Sequence, residues 1–160
     1  MNYKDLTKAG SWMVSTEKSG YPISAMFDRK METYWQSDSF PPHTISVQFS
    51  KSTFISKLAI FCAVKMDDTF APLEIIIQTG NDPIAMVELK KEELLTNHGW
   101  DEIEIGVEAI FLNIIISKNY KGGKDCRIRQ IKLYGAPYSS CVDPSVCFVS
   151  PSASQYLSIR

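Results

Sequence analysis

Apolar and polar residues alternate along much of the chain, with the two-residue period of a β-strand that buries one face. Residues 45–49, for example, read Ile-Ser-Val-Gln-Phe. The predicted strands cover residues 45–49, 55–64, 73–79, 85–89, 101–105, 109–116 and 128–134. Turn residues such as the run Gly80-Asn81-Asp82-Pro83 separate the strands at short intervals, which favours antiparallel pairing. About seven or eight such strands predict an all-β fold, either a β-sandwich or a jelly roll.

Signals for helices are confined to two short segments. Residues 23–29 include the apolar Ala25, Met26 and Phe27 and predict one or two helical turns. Residues 90–96 predict another short helix. Neither segment is long enough to organise the fold, so we expect only short helical turns between the strands.

The length and composition predict one domain followed by a tail. The chain has 160 residues, of which 44% are hydrophobic, and this is enough for one buried core. After Pro137 the sequence becomes rich in serine, and such a segment cannot bury enough apolar surface to order itself. We therefore expect a β-sandwich domain at residues 1–137 and a C-terminal extension at residues 138–160, with a flexible arm from Ser150 onward.

The charge balance restricts the classes of partner. A formal net charge of -1 provides no broad basic surface for nucleic acid or anionic lipid. No apolar run approaches the roughly 20 residues that span a bilayer, and the first residues, Met1 to Asp5, lack the apolar stretch of a signal peptide. The sequence predicts a soluble intracellular protein that binds neither nucleic acid nor membranes.

The cysteines indicate neither a disulfide framework nor a metal site. Cys62 lies in an apolar strand and Cys126 in a polar loop, and reduced thiols are expected in an intracellular protein. Cys141 and Cys147 have no histidine beside them and are poorly spaced for zinc ligands. No metal and no other cofactor is predicted.

The histidines do not indicate an enzyme. His43 and His98 lie in no recognisable nucleophile or metal motif. A Ser-His-Asp triad is recognised by geometry and not by sequence position, so a serine-rich sequence does not by itself support one. We expect a binding protein without catalytic residues.

Three segments carry candidate binding residues. Residues 32–38 read Glu-Thr-Tyr-Trp-Gln-Ser-Asp, a glycine loop and the following strand occupy residues 122–130, and the chain ends in Ile159-Arg160. Trp35 is expected to be a core anchor because of its size. The loop at residues 66–72 is expected as a solvated acidic turn, with contact to a ligand as the less common alternative.

These segments resemble the Doc-domain family, to which subunit 10 of the anaphase-promoting complex belongs. The matching residues are 32–38, 123–132 and 158–160, with further agreement at 12–15 and 41–43. The chain departs from the usual family loop, since Lys124 stands in place of arginine, Cys126 in place of threonine and Arg127 in place of histidine.

The resemblance implies both a fold and a function. The fold would be a jelly-roll sandwich of the galactose-binding-domain type that binds no sugar in its known role. The function would be that of a non-catalytic substrate-recognition subunit of a ubiquitin ligase. Together with a β-propeller coactivator, such a subunit receives the destruction-box degrons of cell-cycle substrates. The expected location is the nucleus and cytoplasm.

Loops at one end of a rigid scaffold are where binding residues concentrate. Gly122 and Gly123 permit backbone conformations that other residues avoid, so their loop can bend and present its amides and side chains to an extended peptide. The predicted degron-binding residues are Asn119, Gly122, Gly123, Lys124, Asp125, Arg127, Ser37, Asp38 and His43. For Asp125, contact with a basic degron side chain and capping of its own loop are equally weighted alternatives.

The C-terminal pair has a separate expected role. In the family, an Ile-Arg ending docks in the groove of a tetratricopeptide-repeat subunit of the anaphase-promoting complex. The resemblance therefore assigns Ile159 and Arg160 to tail docking. Their guanidinium, carboxylate and branched apolar side chain are suited to capture in a groove.

Two other functions are compatible with the same architecture. A carbohydrate- or lipid-binding module is the first, because a fold does not determine a function. A scaffold subunit that assembles with the complex without touching the degron is the second, and it differs from the main hypothesis only at the glycine loop.

Overall fold

The computed structural model describes residues 2–95 and 98–138, and most of the elements in them are antiparallel strands. The strands are β1 (Tyr3–Asp5), β2 (Gly10–Val14), β3 (Trp35–Gln36), β4 (His43–Ala63), β5 (Pro72–Gly80), β6 (Val87–Glu93), β7 (His98–Asn119), β8 (Arg127–Ile128) and β9 (Gln130–Pro137). The helical elements are α1 (Val64–Asp67) and three 3-10 turns at Ile23–Phe27, Asp68–Phe70 and Tyr120–Gly122. The all-β prediction is confirmed.

A seven-stranded sheet forms the body of the domain. Its strands follow the order β1-β9-β4-β7-β5-β6, and β2 also pairs with β4. The long strands β4 and β7 pair with each other from His43 opposite Ile116 to Ala63 opposite His98. The first part of β4 pairs with β2 and its second part with β9, on either side of an irregularity between Gln48 and Thr53.

The core lies where the apolar positions of these strands meet. The long strands contribute residues two positions apart, as expected for one buried face. Examples are Ile45, Val47 and Phe49 in β4, Leu112, Ile114 and Ile116 in β7, and Ile131 and Leu133 in β9. Trp35 is fully buried in this core, and its Nε1 donates to the carbonyl oxygen of Thr16 at 3.1 Å. Its predicted role as a core anchor is confirmed.

The predicted helix at residues 90–96 is wrong. β6 covers Val87–Glu93 and forms an edge of the sheet by pairing with β5. Lysine, glutamate and leucine favour helices, but the turn after β5 brings this segment alongside a neighbouring strand, and pairing with that strand overrides the local preference. The prediction at residues 23–29 agrees with the 3-10 turn Ile23–Phe27.

Two pairs of predicted strands are single strands in the structure. Residues 45–49 and 55–64 both belong to β4, and residues 101–105 and 109–116 both belong to β7. The short strands β1, β2, β3 and β8 were not predicted from the sequence. Residues 139–160 lie outside the described residues, and with them the predicted flexible arm.

None of the described helices is long and apolar enough to cross a membrane.

Candidate functional site

The glycine loop follows β7 and packs against the segment that follows α1. Gly122 has a φ of 69°, a conformation that favours glycine. A Cβ atom on Gly123 would collide with the carbonyl oxygen of Thr69. Lys121 in the same turn reaches Asp68, with Nζ 2.7 Å from its carboxylate. The two positions therefore require glycine for different reasons. Gly122 sets the bend, and Gly123 allows the loop to approach Thr69 closely.

A buried imidazole and a buried hydroxyl hold the loop from beneath. His43 Nε2 lies 2.6 Å from the carbonyl oxygen of Lys124, which can only accept, so this nitrogen carries the proton. The Ser37 hydroxyl accepts from the backbone N–H of Cys126 at 2.8 Å, and the Ser37 N–H donates to the Cys126 carbonyl oxygen at 3.0 Å. Both side chains are fully buried.

Asn119 and Asp125 fix the other half of the loop. The Asn119 side-chain amide donates to the backbone carbonyl oxygen of Asp125 at 2.7 Å, and Asn119 is buried. The Asp125 carboxylate accepts from the backbone N–H of Ser39 at 3.2 Å. Asp125 thus has a structural role, but its carboxylate caps the segment after β3 and not its own loop, while its side chain stays half-exposed.

The exposed surface of the loop carries charges of both signs beside an aromatic ring. Asp38, Ser39, Phe40, Lys124 and Asp125 line one groove, which we call the loop groove. Phe40 is 66% exposed, and Lys124 Nζ lies 4.8 Å from its ring centroid. This arrangement offers an extended peptide a cation, two carboxylates and an apolar contact within a small area.

The Arg127 guanidinium contacts two aromatic rings. Its guanidinium carbon is 4.4 Å from the Tyr34 ring centroid and 3.9 Å from that of Phe70, both within cation–π range. Its Nε donates to the Gln36 side-chain oxygen at 2.9 Å, because the pairing of β3 with β8 sets Gln36 opposite Arg127. The Tyr21 ring stacks on the Tyr34 ring, with the centroids 5.0 Å apart. The Arg127 side chain is therefore held in place, with 22% of it exposed.

A buried ion pair lies next to this stack. Arg129 donates to both carboxylate oxygens of Asp67, at 2.9 and 2.7 Å. This hydrogen bonding, ahead of the opposing effect of burial, raises the pKa of Arg129. Asp67 is buried at the end of α1. For Asp67, the prediction of a solvated turn at residues 66–72 is therefore wrong, because its partner comes from a segment distant in the sequence.

Ser37 and His43 are not arranged for nucleophilic catalysis. Ser37 Oγ and His43 Nε2 are 3.5 Å apart, but both side chains are fully buried, and Ser37 Oγ already accepts from Cys126 N. Burial also raises the pKa of the Cys62 and Cys126 thiols, which are both free. Among residues 2–95 and 98–138, no group of His, Cys, Asp and Glu could hold a metal ion.

The nine predicted degron-binding residues fall into two groups. The structure brings all nine together around the loop. However, the side chains of Ser37, His43 and Asn119 are buried, so the prediction that they contact a ligand directly is wrong. The residues with exposed or half-exposed surface are Asp38, Gly122, Gly123, Lys124, Asp125 and Arg127. Ile159 and Arg160 lie outside the described residues.

Sequence reasoning missed the aromatic members of the site. Phe40 contributes to the loop groove, and Tyr34 and Phe70 hold Arg127. A signal was available for Phe40, since an aromatic residue before the two prolines Pro41-Pro42 is expected in a constrained, exposed turn. No sequence signal pairs Phe70 with Arg127.

Several solved structures with the same fold are carbohydrate-binding modules by their titles. The family 32 CBM from C. perfringens NanJ in complex with galactose aligns with a TM-score of 0.69 and 16% identity, covering 81% of this chain and 97% of that chain. Chitosan-binding module 1 from the chitosanase/glucanase of Paenibacillus sp. IK-5 aligns with a TM-score of 0.66 and 17% identity, covering 83% and 100%. The domain is a galactose-binding-like jelly roll, as predicted, and at these identities the likeness shows the fold alone.

Sequence relatives define the family. The family model for anaphase-promoting complex, subunit 10 (APC10) matches residues 1–157. Anaphase-promoting complex subunit 10 of Dictyostelium discoideum is 34% identical, over 100% of this chain and 88% of that protein. The protein of the same name from Schizosaccharomyces pombe is 32% identical, over 82% and 74%. The chain belongs to the anaphase-promoting complex subunit 10 family, which confirms the resemblance to Doc-domain proteins.

Proposed function

We propose that this chain is a non-catalytic substrate-recognition subunit of the anaphase-promoting complex ubiquitin ligase. Together with a β-propeller coactivator, it forms the receptor for destruction-box degrons and promotes ubiquitylation of cell-cycle substrates in the nucleus and cytoplasm. Family membership supports the assignment to the complex. The observation that carries the recognition role is the loop groove, an exposed surface held rigid by buried hydrogen bonds.

The groove has the chemistry that an extended peptide requires. Lys124 offers a cation to an acidic side chain or a carbonyl oxygen, and Asp38 offers a carboxylate to a basic side chain. Phe40 supplies an exposed aromatic surface. Because His43 and Ser37 already fix the loop, little ordering of the receptor accompanies binding, and preorganisation of this kind favours affinity.

The nine predicted residues then divide into contacts and supports. Gly122, Gly123, Lys124, Asp125 and Asp38 contact the degron, along with the exposed edge of Arg127. Ser37, His43 and Asn119 act through the loop backbone that they hold. Both roles of Asp125 are compatible, since its carboxylate caps Ser39 and remains half-exposed.

The chain joins the complex through its end in this proposal. The Ile159 side chain enters an apolar pocket of a tetratricopeptide-repeat subunit, and the Arg160 guanidinium pairs with acidic groups there. A short tail binds weakly alone and more firmly when the domain also contacts the complex, because the second contact is then intramolecular.

Photo-crosslinking of a destruction-box peptide to the reconstituted complex tests the proposal. The reactive group is placed in the part of the peptide that extends beyond the coactivator. The crosslinks are then expected at residues 38–40 and 122–125 of this chain. Crosslinks to the coactivator alone would contradict degron contact and favour a scaffold role. In a parallel titration with galactose, saturable binding would favour the carbohydrate-binding alternative.

A further inference from the structure

A second concave surface lies among the N-terminal segment, the turn after the Ile23–Phe27 helix, and β9. It is a cavity of about 290 Å³, close to the lower end of the roughly 300–1,000 Å³ range of drug-sized pockets. Its size suits one or two peptide side chains. We call it the basic pocket, after the lysine and arginine side chains Lys8, Arg29 and Lys132 that line it.

None of the three cations forms an ion pair within the described part of the chain, although the Lys132 ammonium lies 5.1 Å from the centroid of the Trp100 ring. Many other lysines and arginines there are paired, as in Lys57 with Glu102. Asp5 also lines the pocket, but its carboxylate accepts the backbone N–H of Thr7 at 2.8 Å. Three positive side chains and one negative one leave the lining with an excess of two positive charges. A complementary ligand is therefore anionic.

Aromatic side chains line the same cavity. Trp12 and Phe27 pack against each other with ring centroids 5.0 Å apart, and both are half-buried. The Trp12 Nε1 donates to the Thr7 carbonyl oxygen at 2.7 Å, which fixes the indole. A bare phosphate would use the cations and leave these rings in water. A peptide with acidic and apolar side chains would use both.

The position of Arg29 is set by a buried side chain. Gln130 is buried, and its side-chain oxygen accepts the Arg29 N–H at 3.2 Å. Its side-chain nitrogen donates to the Asp28 carboxylate and to the Lys30 carbonyl oxygen, each at 2.9 Å. These bonds hold the turn on both sides of Arg29, whose φ of 63° is uncommon for a residue other than glycine. The turn presents Arg29 at the pocket before any ligand arrives.

From this arrangement we propose that the basic pocket binds an acidic peptide segment of a partner protein. Glutamate or aspartate side chains pair with Lys8, Arg29 and Lys132, and an adjacent apolar side chain packs on Trp12 and Phe27. No residue that lines this pocket lines the loop groove. The proposal is therefore independent of degron binding and adds a second contact surface for proteins.

Fluorescence anisotropy with the full chain tests this proposal. The probe is a labelled peptide with a central phenylalanine flanked on both sides by glutamates. Two further probes replace the glutamates by glutamine or the phenylalanine by serine. The acidic probe is expected to bind saturably and to weaken as salt rises, since the exposed charges are screened, and both altered probes are expected to bind less tightly.

Variants assign the binding to the pocket. Combined replacement Lys8→Gln, Arg29→Gln and Lys132→Gln should weaken binding about tenfold, since each exposed ion pair contributes a severalfold effect at most. Arg29→Lys, which keeps the charge, should retain most of the affinity. Lys51→Gln removes an exposed lysine that does not line the pocket and serves as the matched control. Circular dichroism of each variant verifies the fold.

Several results would overturn the proposal. They are the absence of saturable binding, equal binding of the glutamine probe, an unchanged affinity in the folded triple variant, and an equal loss in Lys51→Gln. Binding of inorganic phosphate without binding of the acidic peptide would also overturn it, because the ligand would then be a small inorganic anion and not an acidic protein segment.

Discussion

His43 and Lys124 are joined by a hydrogen bond of 2.6 Å between the imidazole Nε2 and the backbone carbonyl oxygen. The imidazole is fully buried, while the Lys124 side chain is exposed at the loop groove. A residue that no ligand can touch therefore determines where an exposed cation sits. The candidate site thus contains two kinds of residue: buried residues that hold the loop in place, and exposed residues that are available to a ligand.

Replacing His43 tests its role as a support. His43→Ala leaves the Lys124 carbonyl oxygen without its buried donor and opens a small cavity, so we expect a loss of about 1–3 kcal/mol in the free energy of unfolding. Denaturant unfolding measures the change. His98→Ala, at the exposed second histidine, should lower the free energy of unfolding by less. Equal losses in the two variants would contradict the role of His43 as a buried support of the loop.

The glycine loop yields a prediction about two neighbouring residues. Gly123→Ala forces a methyl group against the Thr69 carbonyl oxygen, and we expect destabilisation by about 1–3 kcal/mol, the range for overpacking. Gly122→Ala meets no atom but strains a φ of 69°, for about 1 kcal/mol.

Thermal or denaturant unfolding of the two variants gives the comparison. Gly20→Ala, with a φ of 89° and open space around it, is the matched control for Gly122→Ala. A larger loss of stability for Gly122→Ala than for Gly123→Ala would contradict close packing of the loop on Thr69.

The fold follows from the sequence where one face of a strand is buried. The alternation in residues 45–49 predicts part of β4, and the apolar residues 109–116 predict part of β7. The length of these strands was not predictable, because the irregularity between Gln48 and Thr53 interrupts the alternation without ending the strand. β6 was missed as a full strand, since tertiary pairing and not local propensity determines its conformation.

The candidate site was predictable in position but not in detail. Gly122 and Gly123 mark the loop, because bends and close approaches require glycine. The burial of Ser37 and His43 is not visible in the sequence, since polar residues are exposed by default and become buried only when a distant segment supplies partners. The packing of Arg127 against Phe70 likewise joins two loops that only the fold brings together.

Glu74 gives a prediction about pH. The hydrogen bond from Ser117, 2.8 Å long, together with Lys91 and Lys118, lowers the pKa of Glu74 from its ordinary value of 4.5. A carboxyl whose pKa is lower in the folded state stabilises the fold above its unfolded pKa, and this contribution disappears as the pH falls through the folded value.

We therefore expect Glu74→Gln to be less stable than the parent at neutral pH, with a difference that shrinks as the solution is acidified below pH 4.5. Urea unfolding across this range measures it. A Glu74→Gln difference that stays constant into acid would contradict the assignment.

Removal of the last two residues should separate assembly from folding. Without Ile159 and Arg160 the chain loses the proposed tail anchor, so we expect weaker incorporation into the anaphase-promoting complex. We expect an unchanged unfolding transition, because the deletion removes none of the core residues that the structure describes. Quantitative affinity purification and thermal unfolding give the two readouts. Unchanged incorporation would rule out the docking role.

Ubiquitylation of a destruction-box substrate by the reconstituted complex tests the central claim most directly. The double variant Phe40→Ala and Lys124→Ala removes the exposed ring and cation of the loop groove and leaves its buried supports in place. With equal incorporation, we predict about a threefold to tenfold lower rate at limiting substrate, as expected when a peptide loses one charge and one aromatic contact. Lys51→Ala should match the parent complex. A double variant that matches it as well would contradict degron recognition by this groove.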